Sequence, residues 1–190
     1  EMCIRDSSLA EEVKNQGALV TLISGPVNLK TPEKVKRHDV LSADEMKLKV
    51  EELIEDCDIF IAAAAVSDFR PKEIYKNKIK KNETEKHLNL KMDKNSDILK
   101  VISEKNLNLK TVGFAAETEN LLSNAKKKLS QKKLDLIVAN DVSNKDIGFD
   151  SDENEVTLIT KKEQKKIKKA SKKIVSKKIV EFIASKVVND

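Results

Sequence analysis

Three apolar runs in this chain end in the same way. DIFIAAAA (58–65), TVGFAAE (111–117) and LDLIVAND (134–141) are almost unbroken in apolar residues, close on alanine or another small residue, and then meet an acid or an amide. Runs this continuous suit strands covered on both faces, as in a parallel sheet, whereas a half-exposed strand alternates. Amphipathic stretches with helix signals separate them, and parallel neighbours need such crossovers. The pattern predicts a three-layer α/β domain with a mainly parallel, Rossmann-like sheet, helices on both faces and a C-terminal helix.

The remaining elements follow from local signals. LAEEVKNQG reads as the end of an amphipathic helix closed by Gly17, and ALVTLIS (18–24) as a strand. VKRHDVL (35–41) is a further short strand, and Ser42 with Glu45 has capping-box spacing for a helix ending near Cys57. HLNLKM (87–92) reads as a strand, followed by a helix starting at Asn95 or Ser96. A lysine-rich helix is expected over 119–132, and NEVTLIT (154–160) alternates as a sheet-edge strand would. From 169 to 188, Val175, Ile179, Phe182 or Ile183, and Val187 share one helical face.

In open parallel sheets, ligands bind beyond the carboxyl ends of the strands. AAAAVSDFRP, GFAAETEN and IVANDVSN all leave the sheet at that edge, which suggests one shared site. Neither GxxxxGK[ST] nor GxGxxG occurs, which disfavours P-loop chemistry and a dinucleotide-dependent oxidoreductase. The alanines leave room for a flat base or sugar near the backbone, and Asp68 is placed to take a ribose hydroxyl or a hydrated Mg2+. Lys78, Lys80 and Lys81 follow on a segment able to fold over a triphosphate. The residues alone also allow a plainer reading, in which the alanines serve helix packing, Asp68 caps, and the lysines are solvated.

Charge narrows the alternatives. Residues 161–190 hold 11 of the 37 basic residues and 3 of the 32 acidic ones, so the basic excess lies wholly in the tail. Only three of the basic residues are Arg, the side chain best suited to base and phosphate readout. A basic module binding nucleic acid through that tail is the competing hypothesis; a docked helix with a solvated lysine face is preferred. Cys3 and Cys57 lack zinc or disulfide spacing, and Cys57 reads as a core residue rather than a reactive thiol. His38 and His87 are isolated. No apolar run reaches the roughly 20 residues of a membrane helix, and the chain is read as cytoplasmic.

AAAAVSDFRP, KIKK, LKMDKNSDIL, VGFAAET, KKKLSQKKLDLIVANDVS and GFDSDENEVTLI occur in that order, after LISGPVNLKTP. Together they resemble the ligase domain of bacterial phosphopantothenate-cysteine ligases over about residues 8–188. In many bacteria this domain follows a flavin-dependent decarboxylase, so any FMN would belong to that other half. The resemblance implies that CTP activates 4′-phosphopantothenate as an acyl-cytidylate with loss of pyrophosphate, that cysteine displaces CMP, that Mg2+ is required, and that the domain is a homodimer. It implies nucleotide contacts from Ala62, Ala63, Ala64 and Asp68, with Asp68 also the candidate metal ligand. Lys78 would act catalytically beside the phosphates. Ser96, Asp97, Ile98, Leu99 and Phe114 would line the base pocket, and Lys128 and Lys132 would complete the nucleotide contacts. Asn140 and Asp141 are assigned to phosphopantothenate by position only.

The resemblance also raises two departures. Ser96 stands where the family usually has Pro. EMCIRDS matches nothing in the family, and no Gly-Gly-Thr strand or Asn-x-Ser-Ser-Gly turn occurs in the chain. Residues 1–7 are therefore read as an artefactual start, and residues 8–190 as one ligase domain without its first strand and that turn.

Overall fold

The structure, a computed structural model, describes residues 2–73, 75, 77–79, 88–105, 108–141 and 153–188, with side chains from Ser7 onward. Lys80, Lys81 and His87 lie outside the described residues. The chain begins with helix α1 (Met2–Asn15), followed by strands β1 (Thr21–Ser24) and β2 (Lys36–Asp39), helix α2 (Ala43–Leu53) and strand β3 (Ile59–Ala62). Then come β4 (Phe69–Pro71), β5 (Met92–Lys94), α3 (Ile98–Glu104), β6 (Lys110–Glu117), α4 (Leu121–Gln131) and β7 (Leu136–Asp141). Strands β8 (Glu153–Ile159) and β9 (Gln164–Ser171) lead into α5 (Lys172–Ile183) and a closing π turn.

The main sheet has the order β3-β6-β7-β8-β9. Its β3, β6 and β7 run parallel, and β8 and β9 add antiparallel. β1 and β2 form a separate parallel pair, and β4 and β5 an antiparallel ribbon. Helices cover both faces of the main sheet. Leu9 of α1 and Val175, Ile179 and Phe182 of α5 pack on Val112, Leu136, Val138 and Leu158. On the opposite face, Leu99 of α3 and Ala125 and Leu129 of α4 pack on Ala115, Ile137 and Ala139. A third cluster joins α2 to α3 through Val50, Ile54, Ile98 and Ile102, with Ile23 of β1 and Phe60 of β3 packed against it. The fold class and the stripe of α5 agree with the sequence reading.

Four details depart from it. β3 is the edge of the main sheet, and its residues are only partly buried, with no strand on its free side among the described residues. β8 is an inner strand, since β9 pairs with it. Residues 164–171 form that strand rather than a helix: their lysines stand exposed on the sheet edge around the buried Ile167, a device that discourages further pairing. The strand expected at 87–92 sits at Met92–Lys94, where Met92 opposes Pro71 and Lys94 opposes Phe69.

Local caps act as the sequence suggests. Ser42 Oγ accepts from the Glu45 amide, while Glu45 Oε2 reaches back to the Leu41 amide, one residue earlier than the usual capping box. Gly17, at φ 92°, closes α1: its own amide donates to Lys14 and that of Ala18 to Val13. Lys133, at φ 51°, closes α4 with the same pattern, its amide donating to Ser130 and that of Leu134 to Leu129.

Candidate functional site at the carboxyl ends of the parallel strands

The parallel strands do not end level. Ala62, the last residue of β3, lies opposite Gly113, whereas β6 continues to Glu117. At roughly 3.3 Å per residue this leaves a step of about 13 Å. Along that step, β6 has no strand partner on the β3 side among the described residues. Ala64, Ser67 and Asp68, on the exit from β3, are exposed, and Ala62 and Ala63 are half-buried.

Gly113 sets how closely α3 approaches. A Cβ there would fall 2.8 Å from Leu99 Cδ2 and 2.9 Å from Leu134 Cδ1, so the bare backbone lets Leu99 lie against β6. Ile98 and Leu99 are both core residues, which restricts any ligand contact from them to the backbone. Asp97 caps α3 by accepting from the Lys100 amide, and its other oxygen takes the Lys132 ammonium at 2.8 Å. One turn back on α4, Lys128 pairs with Glu117 Oε1 at 2.5 Å, and Asn124 donates to Glu117 Oε2. Two lysines four apart on one helical face thus tie the end of β6 to the start of α3.

These contacts tune the two acids. The Lys128 ammonium bonded to Glu117 holds its carboxyl below the usual carboxylate range; partial burial opposes this, and Asn124 and the charge of Lys128 reinforce it. Burial pushes the Asp97 carboxyl up, but bonds from Lys132 and the Lys100 amide, with the charges of both lysines, bring it below its ordinary value. Both acids are therefore anionic at neutral pH, holding cations that a more highly charged anion can draw away.

The sequence-predicted residues divide into three groups. Ser96, Asp97, Lys128 and Lys132 come together, joined by the Asp97–Lys132 pair. Asp68 is linked to them through the backbone, its carbonyl accepting from the Asn95 amide at 2.8 Å. Phe114 and Ala63 pack on the α1/α5 face, the opposite side of the sheet from Lys128 and Lys132. Asn140 is 1% exposed and continues the alternation of Leu136 and Val138 toward that same face, whereas Asp141 is exposed at the strand end. Lys78 is exposed, with no ion pair or hydrogen bond among the described residues. Cys57 is half-buried, and burial with the neighbouring Asp56 and Asp58 pushes its thiol up, away from reactivity. Glu117 has no assigned role in the sequence motifs, although GFAAET places it at a strand end beside the lysine helix.

A cavity of about 790 Å3 separates β1 from the exit of β3. Leu22, Ile23 and Ser24 line one side and Ala64 to Ser67 the other, with Arg70 and Asn95 at the rim. Among the described residues no three His, Cys, Asp or Glu side chains converge as a metal cage, and no helix is long and apolar enough to cross a membrane.

A mixed α/β sheet with helices on both faces, and with cations and acids gathered at its parallel strand ends, defines an open α/β domain of Rossmann-like type. Comparison with known proteins narrows the class. Residues 6–187 match the DNA/pantothenate metabolism flavoprotein C-terminal domain, and the chain belongs to that family. It is 44% identical over 177 residues to the coenzyme A biosynthesis bifunctional protein CoaBC of Vibrio vulnificus, covering 93% of this chain and 44% of that protein. The Bacillus subtilis protein of the same name is 43% identical over 180 residues, 94% of this chain and 44% of its own length. The chain thus spans less than half of the curated relatives it matches. Among solved structures, the C-terminal domain of a CoaBC protein superposes with a TM-score of 0.81 at 32% identity, covering 98% of this chain and 84% of that one. A Streptococcus pneumoniae protein, at 20% identity and TM-score 0.78 over 94% of this chain and 86% of its own, shares the fold.

Proposed function

We propose that this domain joins 4′-phosphopantothenate to L-cysteine using CTP, as the ligase part of a coenzyme A biosynthetic protein. The supporting observation is the convergence at the end of β6 of Lys128, Lys132, Glu117 and Asp97, beside a strand exit that carries Asp68, in a chain of this family. In this reading the phosphopantothenate carboxylate attacks the α-phosphorus of CTP. The bond to the β-phosphate oxygen breaks, pyrophosphate leaves, and an acyl-cytidylate forms. The cysteine amine then attacks the acyl carbon and CMP departs with the bonding pair.

The chain's own residues bind and offset charge. Nucleotide phosphates would compete with Glu117 and Asp97 for Lys128 and Lys132, replacing single carboxylates by a polyanion. Lys78, exposed and with no ion pair among the described residues, would stand beside the phosphates and offset charge building on the departing pyrophosphate. Mg2+ needs one or two carboxylates when phosphates and water complete its shell, and the exposed Asp68 fits that requirement. When bound, the ion would neutralise phosphate charge and polarise the reacting phosphoryl group.

Two further parts belong to the same proposal. A parallel strand with an Asn-x-Ser-Ser-Gly turn, absent from these 190 residues, would occupy the cavity between β1 and β3, whose free edges have no strand partner among the described residues. A second copy would dock on the ribbon near β4 and β5, where Phe69, Leu88, Leu90 and Met92 are 47–64% exposed.

The test is pyrophosphate release by the full-length protein. Release should require both CTP and phosphopantothenate, and Asp68→Asn or Lys78→Ala should lower it by about tenfold or more. Pyrophosphate formation without CTP, or wild-type rates in both variants, would sink the reading.

A further inference from the structure

Asn95, between β5 and α3, is both polar and buried, at 8% exposure. Three hydrogen bonds of 2.8 Å converge on it. Its backbone amide donates to the Asp68 carbonyl, its Nδ2 donates to the Ser67 carbonyl, and its Oδ1 accepts from Arg70 Nη1. The same Arg70 nitrogen donates to Asp44 Oδ1 in the first turn of α2, also at 2.8 Å. One side chain therefore fastens the exit of β3 to the residues that open α3, and Arg70 extends the fastening to α2.

The chemistry of these partners fixes the residue type. Arg70 only donates and the Ser67 carbonyl only accepts, so the group between them must accept on one side and donate on the other. A carboxamide does both. An aspartate at this position would keep Arg70 but present a second acceptor to the Ser67 carbonyl, and an alanine would remove the side-chain donor to that carbonyl. Arg70 also settles the amide orientation, because flipping it would point two donors at each other.

Resting on the ligase reading above, we propose that Asn95 is a positioning residue for nucleotide binding, holding Ser67 and Asp68 in register with Ser96 and Asp97 so that one nucleotide is met from both segments. Arg70 acts through it as the group that orients its amide. Neither side chain needs to touch the nucleotide for this role.

Steady-state kinetics on the full-length protein with Asn95→Asp and Arg70→Lys test the assignment. Asn95→Asp should raise KM for CTP by about tenfold and Arg70→Lys by about threefold, the scale of one lost or weakened hydrogen bond. KM for cysteine should stay within about twofold, since the amine enters after the nucleotide has reacted. Equal rises in both KM values, or a fall in kcat and melting temperature with KM for CTP unchanged, overturn the proposal. Should Asn95→Asp fail to fold, Arg70→Lys decides alone by the same criterion. If the unmutated protein shows no CTP-dependent turnover, the ligase reading fails and amide hydrogen exchange judges the coupling. Arg70→Lys must then speed exchange in residues 64–68 and 96–99 together, and an effect confined to one segment overturns it.

Discussion

Strands β6 and β7 and strands β1 and β3 are all short parallel strands, yet their surroundings differ. β6 and β7 have neighbours on both sides, and Val112, Leu136, Val138 and Ala139 are fully buried between two layers of helices. Among the described residues β1 and β3 are each paired on one side only, and their residues range from half-buried to exposed. The first pair is a platform whose shape is set by packing. The second borders the cavity, and its exits carry the backbone turns that define the site. A binding edge of this kind gains open backbone at the expense of packing density.

The largest expected contrast is in the core. Leu136→Ala should cost about 3 kcal/mol in urea unfolding, as removal of a fully buried side chain does, whereas Leu22→Ala in half-buried β1 should cost about 1 kcal/mol or less. Equal losses would erase the distinction between the two regions. Glycines sharpen it. Gly113→Ala must displace Leu99 and Leu134 and should lower stability by about 2 kcal/mol, while Gly25→Ala meets nothing within 4 Å and should change it by no more than about 0.5 kcal/mol.

The helix ends give a third comparison. Gly17 and Lys133 hold matching left-handed positions, but only the first is a glycine. Lys133→Gly should therefore stabilise by about 1 kcal/mol in thermal melts, and Gly17→Ala should destabilise by a similar amount. A loss on Lys133→Gly would mean that its side chain contributes more than its backbone strain costs.

The smallest effect is electrostatic. Glu117 and Asp97 have folded pKa values below their ordinary ones, so they add stability above the unfolded carboxylate range and lose it as pH falls through the folded values. Chemical denaturation below about pH 4 should show a shallower acid limb for Glu117→Gln, with no change in slope between pH 6 and 8. An unchanged acid limb would remove Lys128–Glu117 from the list of stabilising pairs.

Much of this architecture is legible in the residues. Unbroken apolar runs announce the strands of the platform, Ser42 announces α2, and the spacing of Val175, Ile179 and Val187 announces α5 and the turn that closes it. What escapes is decided between distant segments. Residues 164–171 alternate around only one buried side chain, Ile167, so their lysines read as part of the following helix until β8 supplies a partner. β3 has the composition of a central strand, and its edge position depends on which strand lies beside it, not on its own residues. The candidate site is legible as motifs, yet the Asp97–Lys132 and Lys128–Glu117 pairings come from register and helix placement. Asn95 carries no signal until the hydrogen bonds around it are seen.

The register of the main sheet also orders its assembly in time. β8 pairs with β7 and β9, its neighbours in sequence, and α5 follows directly, so this part closes shorter loops than β3 does. β3 must find β6 across the ribbon and α3, matching Ile59 to Lys110, and long closures come later and more slowly. A chain refolding from the complete unfolded state would thus complete its C-terminal meander first and form its binding edge last, leaving β3 exposed to misassociation on the way.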